Sequence, residues 1–529
     1  MSEKTPRPKS RTLGDLLDET AATRPKAEAV VFQGERLDYA GLKSRADAFA
    51  QALIAIGIGR GDRVALLVSN RPEWLVAAFA AAKLGAVTAA ISTFSSPREL
   101  AFMLDHSGAK ALVMLDAFRR RDFLGAVRAE RARLPGLRTI VKLDGRPAAG
   151  FVTLPEFLEP GRSVEPEALA AAQRAVRPED IAFILYTSGS TAAPKGVQLA
   201  HGPLIANGFD IGERMHLSAS DRVWLAVPLF WSFGSANALP AIMTHGGTIV
   251  LQEGFEAGEA IALIEREHCS VYYGVGNMAR ALAEHPEHPG RRLGAMRTGL
   301  TIGPPEDIAL TIAALGAEEL CNVYGATETY GNCAVADALD PLPLRLSTQG
   351  LPLPGMTIRA VDPLTRQPLP AGEVGELAVK GHVTPGYFRA PELDAGAFDN
   401  GGWFLTGDFG LVGTDGRVRF RGRLKEMIKT GGANVSPLEV EEVLRQYPGI
   451  ADAYVVGVPD RAKGEIVAAA VELRAGAAAE EGQILAFCRK RLARYKVPVR
   501  LQFRAAGEFP RTPTGKINKP RLREELTGS

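Results

Sequence analysis

The stretch YTSGSTAAPKGV, Tyr186 to Val197, sets the hydroxyls of Thr187, Ser188, Ser190 and Thr191, the glycines Gly189 and Gly196, and the Lys195 ammonium in one short segment. It follows the apolar run IAFIL, so it reads as a buried strand opening into a loop. Both glycines permit positive φ and close backbone approach. Loop N–H groups, hydroxyl donors and one point charge together make an anion nest, and phosphate is the anion that chemistry suits. The spacing is not G-x-x-x-x-G-K-[ST]. On chemistry alone, a phosphate cradle and a solvated surface turn stand equal.

Further stretches carry candidate groups. In NVYGATETYG (322–331), Tyr324 offers a flat face for a base and Thr327 a hydroxyl donor. Glu328 offers hard oxygen suited to Mg²⁺ beside phosphate. A Thr–Glu pair capping a helix explains the same letters. In WFLTGDFG (403–410), Asp408 follows a glycine turn, where a carboxylate can accept two ribose hydroxyls, though a lone T-G-D is only a turn. RGRLKEMIKTGG (421–432) reads by itself as an exposed basic linker, and Lys516 in PRTPTGKINK as an exposed lysine.

Taken together and in this order, these stretches resemble the signature segments of the adenylate-forming, AMP-binding enzymes: acyl-CoA synthetases, luciferases and the adenylation domains of peptide synthetases. The resemblance runs from about Leu13 to Glu525 and is closest in kind to an acyl-CoA synthetase. It implies ATP, Mg²⁺ and coenzyme A as cofactors. It implies that Thr187, Ser188, Gly189, Ser190, Thr191 and Lys195 hold the triphosphate, with Thr191 and Glu328 at the metal. Gly303 and Pro304 of TIGPPE (301–306) would close one face of the adenine and Tyr324 the other, with Asn322 and Gly325 beside them. Thr327 would reach the α-phosphate, Asp408 the ribose, and Arg423 the ribose or a phosphate. Lys425 would be the hinge, and Lys429, Gly431 and Gly432 would line the pantetheine path. Lys516 would bridge the carboxylate and the α-phosphate, making Lys516, Glu328, Thr327 and Lys429 the catalytic set. The Pro510-to-Lys516 spacing also resembles the context in which bacterial acyl-CoA synthetases are silenced by acetylation, which implies a lysine acetyltransferase acting on Lys516.

The acid is less legible. PLFWSFG (228–234) holds no acidic residue to grip an amine, so an α-amino acid does not fit. Trp231 stands where many relatives carry His, YYGVGNM (272–278) where most carry GVP, and Ala192 where a Gly is usual. Phe230, Trp231, Phe233, Tyr272, Tyr273 and Gly276 are the expected acyl-pocket wall, with Gly325 leaving room for an acid larger than acetate. A medium- or long-chain fatty acid and an aryl or alicyclic acid fit alike. No carrier segment follows Lys516, so the expected acceptor is coenzyme A. Delivery to a carrier protein, a non-catalytic nucleotide-binding regulator and a luciferase-type oxygenase are the competing readings.

These groups need a scaffold of several domains. The chain has 529 residues, 46% hydrophobic and 23% charged, with a net charge of +2 that gives no argument for nucleic acid or an anionic membrane. Four scattered cysteines without a CxxC pair fit a reducing cytoplasm. The polar N-terminus is not a secretory signal. The apolar stretch Trp74–Ile91 is interrupted by Lys83 and Gly85, so it reads as a buried helix ending in a glycine turn, not an integral membrane segment. Short β-branched runs (63–69, 111–115, 139–143, 181–188, 222–229, 247–252) alternate with helical patterns, which predicts an α/β fold of mostly parallel sheets. TIRAVD, GELAVKG and VRFRGR predict a small β-rich subdomain. The expected organisation is a disordered tail over 1–11, a large domain over 12–423, and a mobile α+β domain over 424–529. Ser436 and Glu439 spell a capping box with Pro437 at the first helical position.

Overall fold

The computed structural model describes residues 5–187, 194–288, 290, 292–430, 433–512 and 517–528, with Asn434 described by its backbone only. Two compact units divide it: residues 1–357 with 379–404, and residues 358–378 with 405–529. The division does not coincide with the expected boundary at 423/424. Most of the small β-rich subdomain groups with the C-terminal unit.

The first unit is built on two sheets. Six adjacent strands of the larger one are parallel: Glu319–Tyr324, Thr298–Thr301, Val271–Tyr273, Arg222–Leu225, Thr248–Leu251 and Glu28–Phe32. Antiparallel strands cover both ends of this run. The second sheet is parallel from Val152–Thr153 through Thr139–Lys142, Ala111–Met114, Arg63–Leu67 and Val87–Ala90 to Ile181–Thr187. It ends in the antiparallel strand Lys195–Ala200. Strands alternate with helices because parallel neighbours need a crossover. The Trp74–Ile91 stretch becomes the helix Pro72–Lys83, a turn at Gly85 with φ of 64°, and the strand Val87–Ala90. Apart from Glu73 that helix is buried on every side, which an apolar circumference demands. Lys83 is 1% exposed and ends on Asp18 and Asp47 at 2.5 and 2.8 Å, so its charge is paired inside the core. Among the described residues, no helix is long and apolar enough to cross a membrane.

Residues 5–11 do not behave as the expected free tail. The Lys9 and Ser10 N–H groups donate to Glu19 at 3.1 and 2.8 Å, and Arg7 pairs with Asp210 while lying over the Phe209 ring. The segment is short, but its cation finds a buried carboxylate.

The second unit contains the hairpin of Phe404–Val412 with Val418–Arg423. It also contains a five-stranded sheet in which Gly464–Leu473 pairs with Ile450–Asp460, Ile428–Thr430 and Arg500–Arg504. Helices Pro437–Arg445, Glu481–Arg489 and Lys519–Thr527 complete the expected α+β unit. Pro437 opens its helix as the pattern predicts, but the capping box does not form. The Ser436 hydroxyl donates to the Arg421 carbonyl, a tertiary contact, and leaves the helix N–H groups.

Candidate active site

Strand Ile181–Thr187 turns back as Lys195–Ala200, and Thr187 faces Lys195 in register. The tip between them, with Ser188, Gly189, Ser190 and Thr191, lies outside the described residues. Lys195 leaves the strand end with its ammonium 5.4 Å from the centroid of the Tyr387 ring. Tyr387 is brought there by the segment 384–388, which runs along Lys195–Ala200. Phe388 N–H donates to the Gly196 carbonyl at 2.8 Å, and Val197 bridges Tyr387. The Tyr387 hydroxyl donates to Glu328 Oε1 at 2.8 Å. Burial, and then the Glu328 charge, hold that phenol well above its ordinary pKa, so it remains a donor. Thr384 N–H donates to the Glu328 carbonyl at 2.6 Å.

Glu328 and Thr327 sit in a single tight turn after strand Glu319–Tyr324. Thr329 ties the turn down: its hydroxyl accepts from Ala326 N–H at 3.0 Å. The next two residues have positive φ, 58° at Tyr330 and 89° at Gly331. The non-glycine Tyr330 is held in that conformation by Asn237 and Asn207, whose amides donate to its carbonyl at 2.7 and 3.3 Å, and by its own hydroxyl, which accepts from Ala200 N–H. The Thr327 hydroxyl meets the Ser232 hydroxyl at 3.0 Å. Ser232 precedes a π-helix, Phe233–Ala238, a rare form that often marks functional segments. Gly303 and Pro304, half-exposed, lead into the helix Pro305–Leu315 at the end of the neighbouring strand.

Three of the expected nucleotide-site residues sit in close packing. Asn322 is 1% exposed, and its amide donates to the Thr348 carbonyl while its oxygen accepts from Val323 N–H, so it braces the strand end. Tyr324 is 3% exposed at the strand end. Gly325 is half-exposed and closely packed on one side. A Cβ there would lie 2.3 Å from the Gly331 oxygen and 2.5 Å from Asn332 Cα, so glycine is needed for backbone approach.

The expected acyl wall also divides. Phe230 and Trp231 form one cluster with Phe94, with ring centroids 5.3 to 6.0 Å apart. Phe233 packs on Tyr273 at 5.2 Å. Tyr272 does not join them. Neighbours on a strand point to opposite faces; Tyr272 is fully buried, stacks on Trp224 and donates its hydroxyl to the Val275 carbonyl. It is core. Gly276 opens the helix Gly276–Ala283, and a Cβ there would meet the Asp307 carboxylate at 2.7 Å.

In the second unit the hairpin register sets Asp408 opposite Arg423, with Nε 3.3 Å from Oδ1. Asp408 is 5% exposed and Arg423 is exposed. Lys425 lies exposed in the following turn, and Lys429 exposed on Ile428–Thr430, its N–H donating to Glu465. Gly431, Gly432 and Lys516 lie outside the described residues.

The family model of the AMP-binding enzymes matches residues 17–388, and that of the AMP-binding enzyme C-terminal domain matches residues 439–516. The chain belongs to the AMP-binding enzymes. A Mycobacterium tuberculosis relative, named as a 3-[(3aS,4S,7aS)-7a-methyl-1,5-dioxo-octahydro-1H-inden-4-yl]propanoyl:CoA ligase, is 33% identical over 97% of this chain and 99% of its own. A mitochondrial medium-chain acyl-CoA ligase of Rattus norvegicus is 30% identical over 98% and 88%. The crystal structure of ATP-bound MatB from Rhodopseudomonas palustris superimposes with a TM-score of 0.85 at 28% identity, over 97% of this chain and 99% of that one.

In this AMP-binding enzyme, sequence reasoning missed Tyr387, Ser232 and Phe94. Tyr387 sits in an ordinary turn, and pairings between residues far apart in the chain, such as Gln198 with Gly386 at 188 positions, bring it to Lys195. Ser232 lay inside a segment read for its aromatic residues alone.

Proposed function

We infer that the protein is an ATP-dependent carboxylate–coenzyme A ligase. It joins a carboxylate to the ATP α-phosphorus, releasing pyrophosphate, and then passes the acyl group from the adenylate to the coenzyme A thiol, releasing AMP. The observation that carries this reading is the Lys195–Tyr387–Glu328 arrangement at the mouth of the Thr187/Lys195 hairpin, in a family that binds AMP. Adenylation gathers several anions at one point, so fixed cations and hydroxyl donors do most of the stabilising. Lys195 supplies the point charge, and Thr327, whose hydroxyl donates to Ser232 here, is assigned the α-phosphate once that proton is turned to it. Glu328 fits Mg²⁺ as a half-buried hard-oxygen donor. One carboxylate with phosphate oxygens and waters is an ordinary way to hold that ion, which when bound neutralises phosphate charge.

In the second unit, Asp408 and Arg423 form a pair suited to ribose hydroxyls and a neighbouring phosphate. Lys516 is assigned the adenylation charge and Lys429 the thiol path, with Lys425 as pivot between the two half-reactions. The acid we assign is apolar, of medium chain or ring-bearing. The Phe94, Phe230 and Trp231 cluster supports an apolar contact, and the two named relatives act on acids of those kinds. Acid-dependent exchange of labelled pyrophosphate into ATP tests the first half-reaction. Exchange is expected with wild type and is lost in Lys516→Ala, while thioester formation from supplied acyl-AMP survives. Loss of both half-reactions together would contradict the division of labour between Lys516 and Lys429.

A further inference from the structure

The net charge of the whole chain is +2, yet residues 484–504 hold seven Lys and Arg and no Asp or Glu. Three of these cations are spent locally. Lys496 pairs with Glu439 at 2.6 Å, Arg504 pairs with Glu525 at 3.0 Å, and Arg500 donates to the Leu526 carbonyl. The other four, Arg489, Lys490, Arg491 and Arg494, are exposed, and among the described residues none has a carboxylate at ion-pair distance. Arg491 lies flat on the Phe487 ring, 3.6 Å from its centroid.

Large apolar side chains stand beside these cations. Tyr495 is 48% exposed, Val499 55% and Phe503 41%. Leu501 and Phe503 alternate along the edge strand Arg500–Arg504 and so share a face, and Val499 immediately precedes it. Leu501 packs on the buried core cluster to which Ile484, Cys488 and Leu492, of the helix Glu481–Arg489 and the turn after it, contribute, so this strand face is turned to the side of the sheet that the helix covers. The same helix end and turn carry Arg489 to Arg494, so the exposed apolar residues and the unpaired cations lie on one flank of the C-terminal unit.

We propose that this flank is a peripheral docking surface for an anionic lipid bilayer. Four unpaired cations on long, flexible side chains suit a smeared negative charge and need no partner carboxylates in fixed register. Tyr and Phe beside Arg and Lys are the residue types that settle at a membrane–water interface, with the rings in the boundary layer and the cations at the headgroups. A solvated charged face would need no exposed Val499 and Phe503 among its cations.

The test is sedimentation of the full-length protein with vesicles of phosphatidylcholine alone and of phosphatidylcholine mixed with phosphatidylserine. Binding is expected only to the mixed vesicles and should weaken with added salt. Each cation removed lowers the partition about fivefold, so Arg489→Gln with Arg494→Gln lowers it about twenty-five-fold. Phe503→Thr, with all charges kept, should also weaken binding. Both variants should turn over a soluble acid as wild type does. Equal partition onto the two vesicle types, or onto neither, would overturn the proposal. So would variants that bind as wild type, or retention on an immobilised acidic acyl carrier protein without vesicle binding, which would assign the flank to a protein partner.

Discussion

The Tyr387 hydroxyl donates to Glu328 Oε1 at 2.8 Å, and the same ring lies 5.4 Å from the Lys195 ammonium. One side chain thus sits between the carboxylate assigned to the metal and the cation assigned to the triphosphate. Tyr387→Phe keeps the ring and loses the hydrogen bond. A hydrogen bond to a charged group contributes about 1.5–3 kcal/mol. Acid-dependent AMP formation is expected to fall roughly tenfold, with little change in thermal stability. Unchanged kinetics across a magnesium titration would show that the hydroxyl does not position Glu328.

Gly325 tests what the glycine is for. A methyl group there would overlap the Gly331 oxygen at 2.3 Å. Gly325→Ala should cost about 1–3 kcal/mol of stability and depress turnover of every acid in proportion. A shift in chain-length preference at unchanged stability would instead favour the role in the acyl pocket.

Trp231 and Tyr272 should separate cleanly. Trp231 is half-buried in the cluster with Phe94 and Phe230, whereas Tyr272 is buried on the other sheet face. Trp231→Ala is expected to change relative kcat/KM across a panel of acids by roughly tenfold, the scale of losing apolar contact. Tyr272→Phe leaves the ranking of acids alone and lowers the urea midpoint, because it removes a buried hydrogen bond to Val275.

Acid should destabilise the fold through buried histidine. His201 is 0% exposed, and its Nδ1 accepts from Leu13 N–H at the start of the first helix. Burial pushes its pKa down from 6.5 to about 4, and Asp180 and Asp15 only partly oppose this. The folded state therefore disfavours the proton that the unfolded chain takes up. The contribution is complete above pH 6.5 and is lost as pH falls toward about 4, amounting to about 3 kcal/mol. Urea midpoints at pH 7 and pH 5 should show the loss, and His201→Gln should flatten it. A midpoint that does not change between those pH values would contradict the assignment.

The architecture was largely legible because it rests on local pattern. Each β-branched run became a strand, and the Trp74–Ile91 stretch became helix, glycine turn and strand. The groups of the candidate site were legible where they sit in one short segment, as with Thr327 and Glu328, or face each other across a hairpin, as with Thr187 and Lys195 or Asp408 and Arg423. What escaped was set by distant pairing. Tyr387 reaches Lys195 only through the 384–388 segment. Tyr272 and Tyr273 are adjacent letters on opposite faces, and the need for glycine at 325 comes from the backbone of Gly331 and Asn332. Ser436 was misread because its hydroxyl had a tertiary acceptor that no capping pattern reveals.

The measurement that bears most directly on the account is AMP release by the purified protein with ATP and Mg²⁺ over a panel of medium-chain and ring-bearing carboxylates, each with and without coenzyme A. The account predicts AMP that appears only when acid and coenzyme A are both present, in step with a thioester product. Pyrophosphate released without AMP in the presence of coenzyme A, or no acid-dependent product across the panel, would contradict it.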